Sequence, residues 1–175
     1  MAVIRKKFFD VDIELLDLST QVLSTSQEEL KGKILRLDLS RFLKGKNAEG
    51  VFVITKKDDK LVAVIKDFEM PLSYIRKLIG HETSIVEDSF IVNCSDGKLR
   101  VKPFLISRQK VHRSVRNSLR KTAKQEIISF ASGKTKQQIF DAVLTTMLQK
   151  TVLKKLKKIY PLGVCELRAV LSVNK

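Results

Sequence analysis

Tryptophan is absent from this 175-residue chain, cysteine and histidine occur twice each, and proline three times. Each shortage removes a class of function. Cys94 and Cys165 stand far apart and form no Cys-x-x-Cys or Cys/His cluster, so neither a zinc site nor a disulfide framework is supported, and two buried free thiols are expected. His81 and His112 have no catalytic partner in the sequence. No Gly-rich phosphate loop, His-Glu-x-x-His pair or nucleophile elbow accompanies them. The chain therefore reads as a binding protein and not an enzyme, with no cofactor and no metal. No run approaches the roughly 18 consecutive apolar residues of a membrane span. The start, Met1 to Lys7, lacks the apolar stretch and small-residue cleavage site of a secretory leader, so residence in the cytosol is expected. With so few aromatics there is no stacking platform for single-stranded bases and no RNP-type aromatic motif.

Acidic residues are the last scarcity, and it is local. Residues 1–97 hold 15 Lys/Arg and 16 Asp/Glu, a net of −1, whereas residues 98–175 hold 19 Lys/Arg against Glu126, Asp141 and Glu166, a net of +16. All of the chain's excess charge of +15 thus resides in its second half. Such self-repulsion does nothing for folding. A polyanionic partner that releases counterions on contact accounts for it. A membrane surface is the weaker candidate, because the chain has no lipidation motif and no basic helix with Trp or Phe along its apolar face.

An apolar content of 43% at this length suits one domain, residues 1–175, with an acid/base-balanced, strand-rich part to residue 97 and a strongly basic part after it. Strands are predicted over 8–16, 33–39, 51–55 and 61–65, the last two joined by a Lys56-Lys57-Asp58-Asp59 loop. Two more, over 85–93 and 98–106, are joined through Ser95-Asp96-Gly97, where Asp-Gly suits a tight turn whose central residues both need positive φ. A short helix is expected over Pro71–Ile79, with proline in its first turn and Gly80 closing its end. From Arg108 the period becomes helical: Val111, Val115, Leu119, Ala123 and Ile127 sweep one side while Arg113, Arg116, Arg120 and Lys124 gather within about 80° on another. Thr135-Lys136-Gln137-Gln138 matches a capping box that opens a second helix running through Met147 and Leu148. A third helix over Thr151–Ile159 is closed by Pro161, and a final strand is expected through Leu167, Ala169, Leu171 and Val173. The fold class is α+β.

The candidate RNA contacts follow from this layout. Arg108, Lys110, Arg113, Arg116, Arg120, Lys121 and Lys124 lie on one stretch without a carboxylate, whereas an ordinary solvated helix interleaves both signs. Uncompensated arginines suit bidentate phosphate contacts. Lys98, Arg100 and Lys102 alternate with Leu99 and Val101 and make a basic row on one sheet face. Lys154, Lys155, Lys157 and Lys158 form a further cluster, although lysines near a helix C-terminus are also favoured by the macrodipole alone. Lys134 and Lys136 are secondary candidates. A metal-dependent nuclease would need converging carboxylates, which the basic half does not hold. A free-standing RNA-binding regulator of translation is the alternative within the same class.

Three stretches resemble the archaeal and eukaryotic small-subunit ribosomal proteins of the S-three-Ae (S-one-e) family. They are Leu30-Lys31-Gly32-Lys33-Ile34 followed by Asp38-Leu39; Asp96-Gly97-Lys98-Leu99-Arg100-Val101 running into a basic helix from Arg108 to Ile128; and Lys158-Ile159-Tyr160-Pro161-Leu162 followed by Glu166-Leu167-Arg168. The resemblance implies a mostly antiparallel, β-barrel-like core with flanking helices, seated on the platform of the small subunit. It implies contacts with the 3′ region of the small-subunit rRNA, with neighbouring platform proteins and with messenger RNA near the exit channel. It places Arg100, Arg108, Arg113, Arg116, Arg120 and Lys124 at RNA. Phe8-Phe9 stands where the family has a Trp-Tyr pair, and Phe68-Glu69-Met70 where it commonly reads Phe-x-Gly-Met.

Overall fold

The computed structural model describes residues 6–57 and 60–173. The chain divides into two compact units, one built from the chain up to Leu37 together with Gly50–Asp67, the other from Asp38–Glu49 together with the chain from Phe68 onward.

In the first unit, strands β1 (Lys7–Ile13), β2 (Leu18–Ser24), β3 (Ile34–Asp38), β4 (Glu49–Lys57) and β5 (Lys60–Glu69) line up in the order β2-β1-β5-β4-β3. β1 and β2 are antiparallel through seven pairs, from Lys7 opposite Ser24 to Ile13 opposite Leu18, while β1 meets β5 in parallel at Asp12 and Val62. Period-two alternation sends Val11, Ile13, Phe52 and Ile54 inward, each at most 1% exposed. A 3₁₀ turn, Glu14–Leu16, closes the first hairpin, and Asp17 follows with φ of 49°, a left-handed conformation that Asp tolerates through its short polar side chain. The strand β2 was not expected from the sequence. Of the expected hairpin loop between β4 and β5, Lys56 and Lys57 belong to β4, and Asp58 and Asp59 lie outside the described residues.

In the second unit the central strand is β8. Helix α1 (Leu72–Leu78) precedes β6 (Ile85–Glu87), β7 (Phe90–Cys94) and β8 (Gly97–Ser107); helices α2 (Arg113–Ala131), α3 (Lys136–Leu144) and α4 (Met147–Leu156) follow, and β9 (Leu162–Val173) returns. β9 pairs antiparallel along the whole of β8, while β7 and then β6 share its other edge. Pro103 has no N–H to give the ladder, and the β8–β9 register shifts between Lys102 and Pro103. From Pro103 to Ser107 every residue of β8 is buried. α2 turns Leu119, Ala123, Ile127 and Ala131 inward and packs on β6 and β7, and α4 packs on α2, α3 and β9.

The fold is therefore α+β. The strand order does not close on itself, so "barrel-like" fits it only loosely.

Several local expectations need correction. Residues 108–112 are not helical: the Val111 N–H donates to Ser84 Oγ at 3.0 Å, and Ser107 Oγ donates to the Gln109 carbonyl at 2.5 Å, which ties this segment down as a connector. The second helix does not run on through Leu148. It stops at Leu144, Thr146 takes φ of 58°, and α4 starts at Met147, four residues ahead of the expected Thr151. The strand expected over 85–93 is broken at Asp88-Ser89. The hairpin forms, but Cys94 pairs with Gly97, so its central residues are Ser95 and Asp96, neither with positive φ; it is Gly97, at φ of 141°, that needs glycine's freedom. Gly80 has no positive φ, and α1 ends with the Ile79 N–H on the Arg76 carbonyl. The Thr135 capping box is present with both of its bonds.

Candidate nucleic-acid interface

The expected helical arginines are brought together by α2. Arg113, Arg116 and Arg120 stand at i, i+3 and i+7, one above the other on the exposed side, and with Asn117 they line a shallow cleft of about 170 Å³. Asn117 was missed in the sequence; its signal was its spacing, four after Arg113 and three before Arg120. Arg120 is held in place, since its Nε donates to the Glu87 carbonyl at 3.2 Å and its Nη1 to Asn117 Oδ1 at 3.3 Å. One turn on, the Lys124 ammonium sits 5.6 Å from the centre of the Phe90 ring, a cation–π contact. The basic stripe of α2 thus leans on β6 and β7, the strands its apolar face covers. Lys121 is exposed beside it, and the first turn carries no acidic residue.

Arg108 and Lys110 are exposed on the connector before α2 and so are not part of its stripe. The Arg108 N–H donates to the Pro161 carbonyl at 3.4 Å, which anchors the connector to the start of β9.

On β8, Lys98 and Arg100 are exposed and Lys102 is half-buried, with Leu99 and Val101 inward. The alternation read from the sequence is therefore present, as a row beside the exposed Ile91 that pairs with Arg100. On and just after α4, Lys154, Lys155, Lys157 and Lys158 are all exposed. They differ in availability, because Lys155 Nζ is 2.5 Å from Glu126 of α2, which ties the two helices and partly neutralises that lysine. Lys134 lies over the Phe130 ring at 3.1 Å and Lys136 donates to Ser172 Oγ at 3.3 Å, so both have protein partners.

Other chemistry has little to work with. Among the described residues no three His, Cys, Asp or Glu side chains gather as metal ligands would. Cys94 and Cys165 are both free, but each is half-buried and not fully buried as the sequence suggested. Burial, with a smaller contribution from Glu166, pushes the Cys165 thiol up to about 12 despite the opposing Lys46 ammonium. A thiol so placed is inert as a nucleophile at neutral pH. No helix among the described residues is long and apolar enough to cross a membrane.

Fold and charge together define the class: an α+β protein whose positive charge is concentrated in its second half. The chain belongs to the Ribosomal S3Ae family, whose model matches residues 5–175. It is similar to the small ribosomal subunit protein eS1 of Saccharolobus islandicus, 29% identical over 116 residues that cover 66% of this chain and 56% of that protein. The protein of the same name in Methanothermobacter thermautotrophicus is 30% identical over 95 residues, covering 54% of this chain and 49% of the relative. That of Saccharolobus solfataricus is 28% identical over 116 residues. The chain spans about half the length of these curated relatives.

Proposed function

We propose that this chain is a structural constituent of the small ribosomal subunit, in the cytoplasm, where residues 1–175 act as one domain that binds small-subunit rRNA through phosphate contacts and performs no chemistry. The observation that carries the reading is the α2 cleft, in which Arg113, Arg116 and Arg120 converge with no carboxylate among them. A guanidinium offers two parallel donors that match two phosphate oxygens, and three at helical spacing suit successive phosphates of a backbone strand. Lys121 and Lys124 extend this surface. Arg108 and Lys110 contribute from the connector, Lys98, Arg100 and Lys102 from β8, and Lys154, Lys157 and Lys158 from α4; Lys155 contributes least because of Glu126.

Family membership supports a place in the small subunit, and the names of the relatives support it again. The finer reading puts the protein on the platform, against the 3′ region of the rRNA, with platform proteins as neighbours and messenger RNA passing nearby. Sucrose-gradient sedimentation of a native cell extract at low and at moderately high salt tests it. The protein is expected to travel with small subunits and to resist the salt wash. If it stays at the top of the gradient even at low salt, the ribosomal assignment falls and a free RNA-binding regulator takes its place.

A further inference from the structure

The edge of the first unit is left open. β2 ends the strand order, and none of the backbone hydrogen bonds found outside the ladders among the described residues involves Leu18–Ser24. Natural sheet edges are ordinarily blunted by lysine, proline, a bulge or a very short strand. β2 has none of these: it reads Leu-Ser-Thr-Gln-Val-Leu-Ser and keeps an unbroken seven-pair register with β1. On the outer face, Phe8 and Leu23 stand directly opposite each other and are 69% and 47% exposed; Leu18, opposite Ile13 on the other face of the hairpin, is 45% exposed. The strand's far end is fixed, because the Thr25 and Ser24 hydroxyls both donate to the Glu29 carboxylate.

The charge of this edge is opposite to that of the chain. From Phe8 to Leu30 the sequence has six carboxylates, Asp10, Asp12, Glu14, Asp17, Glu28 and Glu29, and no Lys, Arg or His, in a protein of net charge +15. Of these, Glu14 meets Lys57 only at 3.5 Å, both side chains being more than half exposed. Asp10 and Asp12 lie on the exposed side of β1, opposite Gln21 and Ser19 of β2. A strand added beyond β2 would run two strand spacings, about 10 Å, from β1, within one Debye length at ordinary salt. That field repels a phosphate backbone. It also opposes self-pairing of two copies, which would bring twelve carboxylates together at one edge, twice the six counted here.

We propose that the outer edge of β2 takes up an extended lysine- or arginine-rich segment of another protein as an added strand. Its backbone pairs with Leu18–Ser24, its apolar side chains on one face cover Leu18, Thr20 and Val22, and its cations on the other face lie beside Gln21 and Leu23 in the field of Asp10 and Asp12. Main-chain pairing supplies the affinity and the acidic rim the selectivity. The inference stands apart from the arginine cleft of α2 and survives or fails independently of it.

The test uses the full chain and a fluorescein-labelled peptide of alternating lysine and valine, with a control in which the central valine is proline. Binding is read by anisotropy and mapped by hydrogen-exchange mass spectrometry. Exchange at Leu18–Ser24 should slow on adding the first peptide and not the control. The double variant Gln21→Lys, Leu23→Lys should weaken binding by about tenfold or more, as a charged edge repels a cationic strand. Protection confined to another segment, or equal binding of the proline peptide, overturns the proposal whether or not the variant folds. So does slowed exchange at Leu18–Ser24 with a short RNA duplex in place of the peptide, or through dimerisation without any peptide.

Discussion

Replacing Arg113, Arg116 and Arg120 together by glutamine removes three exposed guanidinium groups while leaving the buried face of α2, Leu119, Ala123 and Ile127, untouched. If each arginine neutralises one phosphate, each loss lowers the slope of log K against log salt by about 0.7 to 0.9, so the three lower it by about 2 to 3. At roughly 0.1 M salt the counterion release of one contact is worth about 1 kcal/mol, so affinity should fall by about 3 kcal/mol, on the order of a hundredfold. Anisotropy titrations of a short RNA hairpin, repeated between about 50 and 200 mM potassium chloride, read both quantities. Lys155→Gln is the internal comparison: that ammonium already faces Glu126 at 2.5 Å, so its loss should change the slope by less than any of the three arginines. A triple variant with native circular dichroism and an unchanged slope would refute the placement of the interface on α2.

Three further outcomes follow from local geometry. Gly97→Ala should lower stability by about 1–3 kcal/mol in thermal or denaturant unfolding, because φ of 141° is strained for any side chain; a new Cβ would also come within 2.9 Å of the Lys136 ammonium, though that flexible tip can move. An unchanged melting midpoint would mean that the turn relaxes without cost. The Cys165 thiol, held protonated up to about 12 in the fold, ionises near 9.0 once exposed. Its burial therefore contributes fully below pH 9, and stability should decline as pH rises from there toward 12. In the native protein iodoacetamide should modify Cys94 before Cys165; labelling at equal rates would contradict the burial.

What could be read from the residues was what local patterning controls. The alternation of Leu99 and Val101 with Lys98 and Arg100, the Thr135–Gln138 capping box and the 3.6 periodicity of Leu119, Ala123 and Ile127 each follow from side chains a few positions apart, and all are present. What could not be read depended on partners distant in sequence. β2 is polar at Ser19, Thr20 and Gln21 and becomes a strand because β1 lies beside it. The connector before α2 is basic and apolar at helical spacing, yet Ser84 captures its backbone from 27 positions away. The break at Thr145 and Thr146 carries neither glycine nor proline; the Thr145 hydroxyl instead donates to the Asp141 carbonyl at the helix end, and buried Gln149 donates to Val143 across the break. For the candidate interface, charge counting picked out the basic residues, but only the fold distinguished the paired Lys155 from Lys154, Lys157 and Lys158.

Of the three carboxylates in the basic half, Glu126 is committed to Lys155 and Glu166 to Lys46, each at 2.5 Å. They act as internal fasteners, so almost nothing is left to offset the crowding of cations elsewhere on that half. Added salt relieves this crowding in the unbound molecule while it competes with any phosphate partner. The two responses have opposite sign: the conditions that best relieve the free protein's own repulsion are those in which a phosphate partner would be held least, and a bound polyanion would do for the fold what a concentrated electrolyte does otherwise.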